Sequence, residues 1–156
     1  MNETAPQVDE AEAAQARRTR YNRLVRQARL LSIVLDKLDF KADPAALTTD
    51  KAALKRALNS NVHLVSYDKE SGRCIARIQW NIRMRIKRKI VVKCAASYLI
   101  FYSSIKDGTD ETVAIFIENV AKVATYSYFR ALYAHLDWSA ELGSAPLPIL
   151  RAEPKV

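Results

Sequence analysis

The sequence is poor in glycine and histidine, and these shortages exclude several kinds of site. Three glycines and two histidines in 156 residues provide no phosphate-binding glycine loop and no clustered Cys/His metal pattern. His63 and His135 stand alone and are interpreted as structural residues, and no serine or cysteine has the surroundings of a nucleophile elbow. We therefore expect no catalytic residues, no metal and no cofactor, in a protein that is not an enzyme.

Long apolar runs are missing as well. No run approaches the ~20 residues that span a bilayer, and the N-terminus lacks the basic-then-apolar pattern of a signal peptide. These absences predict a cytoplasmic protein that does not contact the membrane. The length of 156 residues suits one domain, which we place at residues 9–151 after a disordered tail at 1–8.

What the sequence does contain is a long alternation of apolar and polar residues. From Cys74 to Ile86 every second residue is apolar, which predicts a β-strand with one buried face and one basic face. A second alternating strand follows at 90–104. A turn at 87–89 between them would set Ile86 opposite Ile90, apolar against apolar.

The two cysteines lie on this predicted pair of strands. Cys94 should face residues near 82–84 of the neighbouring strand. Cys74 is then ~26 Å away along that strand at ~3.3 Å per residue, which is beyond the reach of a disulfide. Both cysteines are predicted to be free residues of the core.

Weaker patterns predict the elements that precede this pair. A basic amphipathic helix at 9–29 leads into a sheet region at 30–105 that contains a crossover. A strand at 31–40, with Leu31 among its inward residues, changes phase midway, which predicts a bulge. A short helix would run from a cap at Thr49 or Asp50 to residue 58, and another strand would follow at 62–67.

The C-terminal third has helical periodicity. Helices are predicted at 109–142 after a cap at Thr109, with a break at 125–127 and Gly143 as the residue that ends them. The segment 145–150 contains two prolines, so it can form neither a regular helix nor a central strand. We expect it to dock in an extended form on the surface of the domain.

Positive charge is concentrated in two stretches. The chain has a net charge of +8, and the basic stretches 17–29 and 73–93 contain no acid. Four basic residues are interpreted as a docking surface for an acidic partner: Arg77, Arg83, Arg85 and Lys87. Two alternatives stay open, a solvated face kept charged for solubility and a nucleic-acid-binding protein that uses this face with the N-terminal helix.

Apolar residues exceed what this sheet and its helices need to bury. Four strands and two C-terminal helices can cover one face of a sheet only partly, so spare apolar surface should serve assembly or the binding of a polypeptide. One helical stripe is assigned to contacts between subunits: Val113, Phe116, Ile117 and Val120. We expect a homo-oligomer, either a tetramer or at least a dimer.

The order of these elements resembles the SecB family of export chaperones. Tyr126-Ser-Tyr-Phe-Arg130 is similar to the family's aromatic-Pro-Tyr-x-Arg-Glu helix start, and Ala145-Pro-Leu-Pro-Ile-Leu150 is similar to its Leu-Pro-Pro-Leu-like tail. Ser127 stands where the motif has its proline, and Ala131 stands where it has its glutamate. The resemblance covers roughly residues 24–150.

The resemblance implies an α+β fold, in which a four-stranded antiparallel sheet carries the C-terminal helices on one face, with a basic N-terminal helix added here. It implies a dimer of dimers, joined through the first long helix, that holds unfolded chains in apolar grooves without ATP. The arginine-rich helix is more similar to SecB-like chaperones of toxin–antitoxin systems, whose client is an aggregation-prone antitoxin. Docking of the SecA export motor is not expected, because the family members that dock it have an acidic strand face.

Contacts with the client polypeptide are assigned from the same resemblance. Val62 and Leu64 match the apolar positions of the family's second strand. Four aromatic residues are added because their pattern places them nearby: Tyr98, Tyr102, Tyr126 and Phe129.

Overall fold

The fold is α+β, as predicted. The computed structural model describes residues 6–49 and 53–150. In chain order the elements are α1 (Pro6–Gln27), β1 (Arg29–Ala42), α2 (Pro44–Thr49), β2 (Leu54–Asp68), β3 (Arg73–Ile86), β4 (Lys89–Ser103), α3 (Asp110–Phe116), a π-helical turn (Ile117–Ala121) and α4 (Lys122–Ser139). The strands form an antiparallel sheet in the order β1-β4-β3-β2. The C-terminal helices pack on one face of it, and the opposite face is called the open face below.

The central strands β3 and β4 supply most of the core. On β3 the alternating apolar residues from Cys74 to Met84 are at most 2% exposed, because they face the helices. Met84 pairs with Val92 and Ile82 with Cys94. The alternation is confirmed, and so is the expectation that Cys94 faces residues near 82–84.

The turn between β3 and β4 is tighter than predicted. Ile86 pairs with Lys89 and not with Ile90. Lys87 has a positive φ of 53°, the conformation that a two-residue turn requires and that glycine or asparagine usually provides. The strand therefore ends at Ile86, and Lys87 lies in the turn and not on the basic strand face.

Both cysteines are free and fully buried, as predicted. Burial raises the pKa of the Cys74 and Cys94 thiols to about 11, because a thiolate would lose its hydration in the core. Burial also raises the pKa of Tyr98 and Tyr102 to about 12. All four groups therefore resist ionisation while the chain is folded.

We expect alkaline pH to destabilise the protein through these groups. The unfolded chain releases the thiol protons near the ordinary pKa of 9.0, whereas the folded chain keeps them until about 11. The raised pKa thus contributes stability below pH 9 that is lost as the pH rises between these values. The urea concentration at the midpoint of denaturation should fall across this pH range for the wild-type protein. It should fall less for the variant Cys74→Ala/Cys94→Ala. An equal fall in midpoint for the wild-type protein and the variant would contradict the assignment of this effect to the two cysteines.

Strand β1 lies at one edge of the sheet and contains two irregularities. Its register with β4 shifts between Leu30 and Ser32 and again between Leu35 and Lys37, so the predicted bulge is confirmed. The first shift places Leu30 on the helix side. Leu31, which the alternation had assigned to that side, lies in the bulge and is 61% exposed.

Strand β2, at the other edge, overturns one prediction. Where a helix was expected to run to residue 58, residues 54–68 form a single strand paired with β3. The polar segment Asn59–Asn61 is tolerated because an edge strand keeps one side in solvent. Pairing along the whole length of β3 therefore outweighs the helical propensity of the alanines and leucines.

The short helix α2 comes earlier than predicted. Pro44 occupies its first position, and the Asp43 carboxylate accepts a hydrogen bond from the Ala46 amide at 3.2 Å. Thr49 is its last residue, not its cap. The other proposed cap, Asp50, lies outside the described residues.

The C-terminal helices begin as predicted but do not break as predicted. The Thr109 side chain accepts a hydrogen bond from the Thr112 amide at 3.2 Å, which confirms the cap. The break expected at 125–127 is wrong, because Thr125 lies inside α4 and its hydroxyl donates to the Lys122 carbonyl at 3.0 Å. The irregularity is instead the π-helical turn at 117–121.

The N-terminal helix packs against α3. It begins at Pro6, so residues 6–8 of the expected tail are helical, and residues 1–5 lie outside the described part. Leu24 is buried at this contact. A side chain on Gly108 would meet Val113 at 2.7 Å and Leu24 at 3.2 Å, so the close approach requires glycine. No helix within 6–49 and 53–150 is long and apolar enough to cross a bilayer.

Candidate functional site

The last described residues turn back and run along α4. Glu141 and Gly143 have positive φ values of 53° and 58°, so the reversal after the helix uses Glu141 as well as the predicted glycine. The Asp137 carboxylate accepts a hydrogen bond from the Ser144 amide at 3.2 Å. The following residues, 144–150, are called the tail, and two prolines favour its extended backbone.

Two side chains hold the tail through its backbone carbonyls. The Arg56 guanidinium on β2 donates to the carbonyls of Ala145 and Pro146, the second at 3.2 Å. The Tyr126 hydroxyl on α4 donates to the carbonyl of Pro148 at 2.6 Å. Because these bonds reach backbone atoms, they do not depend on the identity of the tail's side chains.

An apolar groove of about 510 Å³ lies between α4 and the tail. Its helix wall includes Val123 and Ala131. Leu147 of the tail is buried in it, whereas Ile149 is 73% exposed. The groove therefore already holds one apolar side chain of an extended segment and leaves another in solvent.

Behind Tyr126, which lines the groove, lies a cluster of buried aromatic rings, called the aromatic floor. The ring of Trp80 stacks on Phe129 with centroids 5.9 Å apart and contacts Tyr126 at 4.8 Å. The Trp80 indole N–H donates to the Thr125 hydroxyl at 3.1 Å. Burial raises the pKa of Tyr126, so its hydroxyl remains protonated and able to donate to the tail.

The six predicted client contacts are not brought together. Tyr98, Tyr102 and Phe129 are at most 4% exposed, so they are core residues, and their assignment to client contact is wrong in this conformation. Val62 and Leu64 are half-buried on the helix side of β2.

Tyr126 is the predicted contact that lines the groove. Sequence reasoning missed Arg56 and the α4 residue Ala131. A basic residue at an inward position of β2, where an apolar one is expected, was the available signal for Arg56.

The stripe assigned to subunit contacts is also part of the core. Val113, Phe116 and Ile117 are at most 1% exposed and Val120 is half-buried. A residue buried against its own sheet cannot contact a partner subunit, so this assignment is wrong for the first three residues. The helix packs this stripe inward because the sheet offers the Tyr102 ring, whose centroid lies 5.0 Å from that of Phe116.

Exposed apolar side chains are instead concentrated on the edge strand β1. They lie on both sides of the strand: Leu30, Leu31, Val34, Leu35 and Leu38. Its outer backbone edge has no neighbouring strand among the described residues. Such an edge is prone to pair with another chain.

The predicted docking residues are divided among different surroundings. The Arg77 guanidinium lies 3.3 Å from the Asp36 carboxylate, whereas Arg83 and Arg85 are exposed on the open face. Lys87 lies in the turn. The predicted row of four aligned charges is therefore reduced to one residue paired with an acid and two strand residues, Arg83 and Arg85, that have no carboxylate within 4.0 Å in the described part of the chain.

The overall fold is shared with a known chaperone. The SecB-like chaperone Rv1957 of Mycobacterium tuberculosis, solved in complex with a ChAD peptide from the Rv1956 HigA1 antitoxin, superposes with a TM-score of 0.71 at 17% identity. The superposition covers 85% of this chain and 97% of that chain.

A protein of unknown function from Streptococcus agalactiae has a TM-score of 0.41 at 9% identity, covering 80% of this chain and 96% of that one. The sequence matches no protein-family model and no curated protein.

Proposed function

Starting from the fold shared with a SecB-like chaperone, we propose that this chain is an ATP-independent chaperone that holds aggregation-prone polypeptides. The observation that carries the proposal is the tail bound along α4. It is an extended apolar segment whose Leu147 is buried and whose carbonyls are bound by Arg56 and Tyr126. A surface that binds its own chain in this way suits an extended client of similar composition.

Binding of this kind requires no nucleotide. Apolar burial contributes about 25 cal/mol per Å² of surface removed from water. Hydrogen bonds donated to backbone carbonyls add affinity that does not depend on the client's amino-acid sequence. A client segment would displace the tail or extend along the exposed Ile149. The tail competes with a client for the same hydrogen-bond donors. We therefore expect clients with several apolar residues in succession to bind best, because they bury more apolar surface than the tail does.

The test compares two exposed positions on the same helix. Ala131 lines the groove, and Tyr128 is exposed but does not line it. We expect the wild-type protein and Tyr128→Glu to suppress aggregation of a denatured test protein without ATP. Ala131→Glu should need about tenfold more chaperone, because a carboxylate would be desolvated against the client.

Light scattering after dilution of the test protein from denaturant measures the effect. A wild-type chain that never suppresses aggregation would refute the chaperone function. Equal activity of Ala131→Glu and Tyr128→Glu would refute the groove as its site.

We propose an antitoxin as the physiological client. The support is the antitoxin peptide bound to the chaperone of similar fold. Co-expression with an antitoxin encoded next to this gene should keep that antitoxin soluble. A gene without a neighbouring toxin–antitoxin pair, or an antitoxin equally soluble alone, would count against this client.

We also propose that the chain is a homo-oligomer joined at β1. Support comes from the exposed apolar residues on both sides of this edge strand and from its unpaired backbone edge within the described chain. Pairing of two such edges would extend the sheet across the interface and bury these residues.

A further inference from the structure

Five basic side chains share one end of the open face. This end lies next to the turn between β3 and β4, and every strand contributes to it. The set, called the cationic end below, consists of Lys41, Lys55, Arg83, Arg85 and Lys93.

Cations of this set lie directly opposite one another on neighbouring strands. Lys93 of β4 pairs with Arg83 on one side and with Lys41 on the other. Arg85 pairs with Lys55. Like charges opposite one another repel and destabilise a sheet, so this arrangement costs stability unless an anion neutralises it.

The chain itself supplies little neutralisation. Lys93 forms a hydrogen bond with the Asp39 carboxylate at 3.0 Å, which lowers the pKa of Asp39. In the described ranges no carboxylate lies within 4.0 Å of the other four cations. Four cations of the cationic end are therefore free of a contacting carboxylate in the described ranges and available to a partner.

The open face becomes apolar away from the cationic end. Polar residues follow first along β3, at Asn81 and Gln79, beside a depression of about 470 Å³. Beyond them comes Arg77, whose guanidinium is paired with Asp36. Ile75 then pairs with Phe101, and Leu99 of β4 lies opposite Arg77. The three apolar residues Ile75, Leu99 and Phe101, called the apolar patch, are partly exposed.

We propose that the open face docks an acidic polypeptide segment. Its carboxylates bind the cationic end, and its apolar side chains contact the apolar patch. The docking surface lies on the face opposite the helices, so it is separate from the groove along α4. It therefore provides a second binding surface that can be occupied while a client is held.

The same geometry disfavours nucleic acid as the occupant. No aromatic ring is among the described residues at the cationic end, so there is no platform for base stacking. Helix α1 joins the sheet at its other end, since Arg29, two residues after the helix, pairs with Ser103 while Lys41 pairs with Lys93. Twelve residues of β1 separate the two ends, about 40 Å at ~3.3 Å per residue, so they form no continuous phosphate track.

The experiment uses a fluorescent peptide of alternating glutamate and leucine, about 12 residues long so that it spans the ~40 Å face. Poly-glutamate, single-stranded DNA and duplex DNA are compared with it. Arg83→Glu/Arg85→Glu is the test variant. Arg17→Glu/Arg18→Glu, which makes the same charge change on α1, is the matched control.

We expect Arg83→Glu/Arg85→Glu to weaken peptide binding about tenfold or more at low salt, and Arg17→Glu/Arg18→Glu to leave it nearly unchanged. Leu99→Ser should weaken binding of the glutamate–leucine peptide but not of poly-glutamate. The urea midpoint of Arg83→Glu/Arg85→Glu should not fall below the wild-type value, because the changed side chains lie in water and the glutamates would face Lys93 and Lys55. If the double variant fails to fold, Lys41→Gln/Lys55→Gln should show the same loss.

Three outcomes would overturn the proposal. The first is that the two arginine double variants lose peptide affinity equally, and the second is that peptide binding does not depend on salt. The third is that either DNA binds more tightly than the peptide and that Arg83→Glu/Arg85→Glu abolishes this DNA binding. Suppression of aggregation by this variant should match that of the wild-type protein. Loss of docking can therefore be told apart from loss of chaperone activity.

Discussion

Replacing Trp80 by alanine should lower the free energy of unfolding by about 3–5 kcal/mol. The side chain is buried between the sheet and α4, and it contacts the rings of Tyr126 and Phe129. Its removal would leave a cavity beneath the groove and also remove the hydrogen bond to Thr125. Because a typical domain has only about 5–15 kcal/mol of stability, urea denaturation should show a large fall in midpoint.

Two conservative variants separate packing from hydrogen bonding. Trp80→Phe keeps much of the ring contact but loses the indole donor, and Thr125→Val removes the acceptor. Each variant should lower the free energy of unfolding by about 1–3 kcal/mol, because one buried polar group is left without its hydrogen-bond partner. A Trp80→Ala protein as stable as Trp80→Phe would show that the aromatic floor does not support the fold.

Charges placed on β1 should convert the assembled protein into a monomer. Val34 is 47% exposed on the open side of this strand and Leu35 is 43% exposed on the helix side, so Val34→Lys/Leu35→Lys should still fold. In an interface that pairs two copies of β1, four added lysines would be desolvated where apolar side chains had been buried. Light scattering should then give about 17.6 kDa for the variant and a multiple of that mass for the wild type at micromolar concentration.

The matched control lies on the other edge strand. Val65 on β2 is 45% exposed and sits where the register with β3 shifts. Val65→Lys should leave the assembly intact. A wild-type chain that is monomeric throughout would refute the oligomer. Dissociation by Val65→Lys, with the β1 variant still assembled, would move the interface to the opposite edge.

The central strands could be derived from sequence because their pattern is strong and local. Every second residue of β3 faces the helices, so the alternation of apolar residues directly indicates which face is buried. The second half of strand β2 was predicted at 62–67, but its first half could not be derived, because the inward residues there include Arg56 and Ser60 and so break the period. This half becomes a strand because it pairs with β3, and such a contact between residues far apart in the sequence is not visible in a local pattern.

The candidate site was predictable in outline and not in detail. A segment with Pro146 and Pro148 must leave the helix, and its apolar residues favour docking. That the tail turns back along α4 depends on Glu141 taking a positive φ, which the sequence does not indicate. Sequence periodicity also identifies an apolar stripe without showing whether the sheet or another subunit covers it, and Phe116 was misassigned for that reason.

The π-helical turn at 117–121 has a consequence for how this helix tolerates length changes. Buried residues precede it at Val113 and Phe116, begin and end it at Ile117 and Ala121, and follow it at Thr125 and Phe129. At 3.6 residues per turn a regular helix would carry the second set progressively away from the sheet. The wider turn accommodates one extra residue, as single-turn π segments do, and so returns both sets to one side. Deletion of a single residue here would therefore produce a regular, slightly shorter helix that keeps both sets inward, whereas a deletion within α4 would rotate everything after it by about 100°.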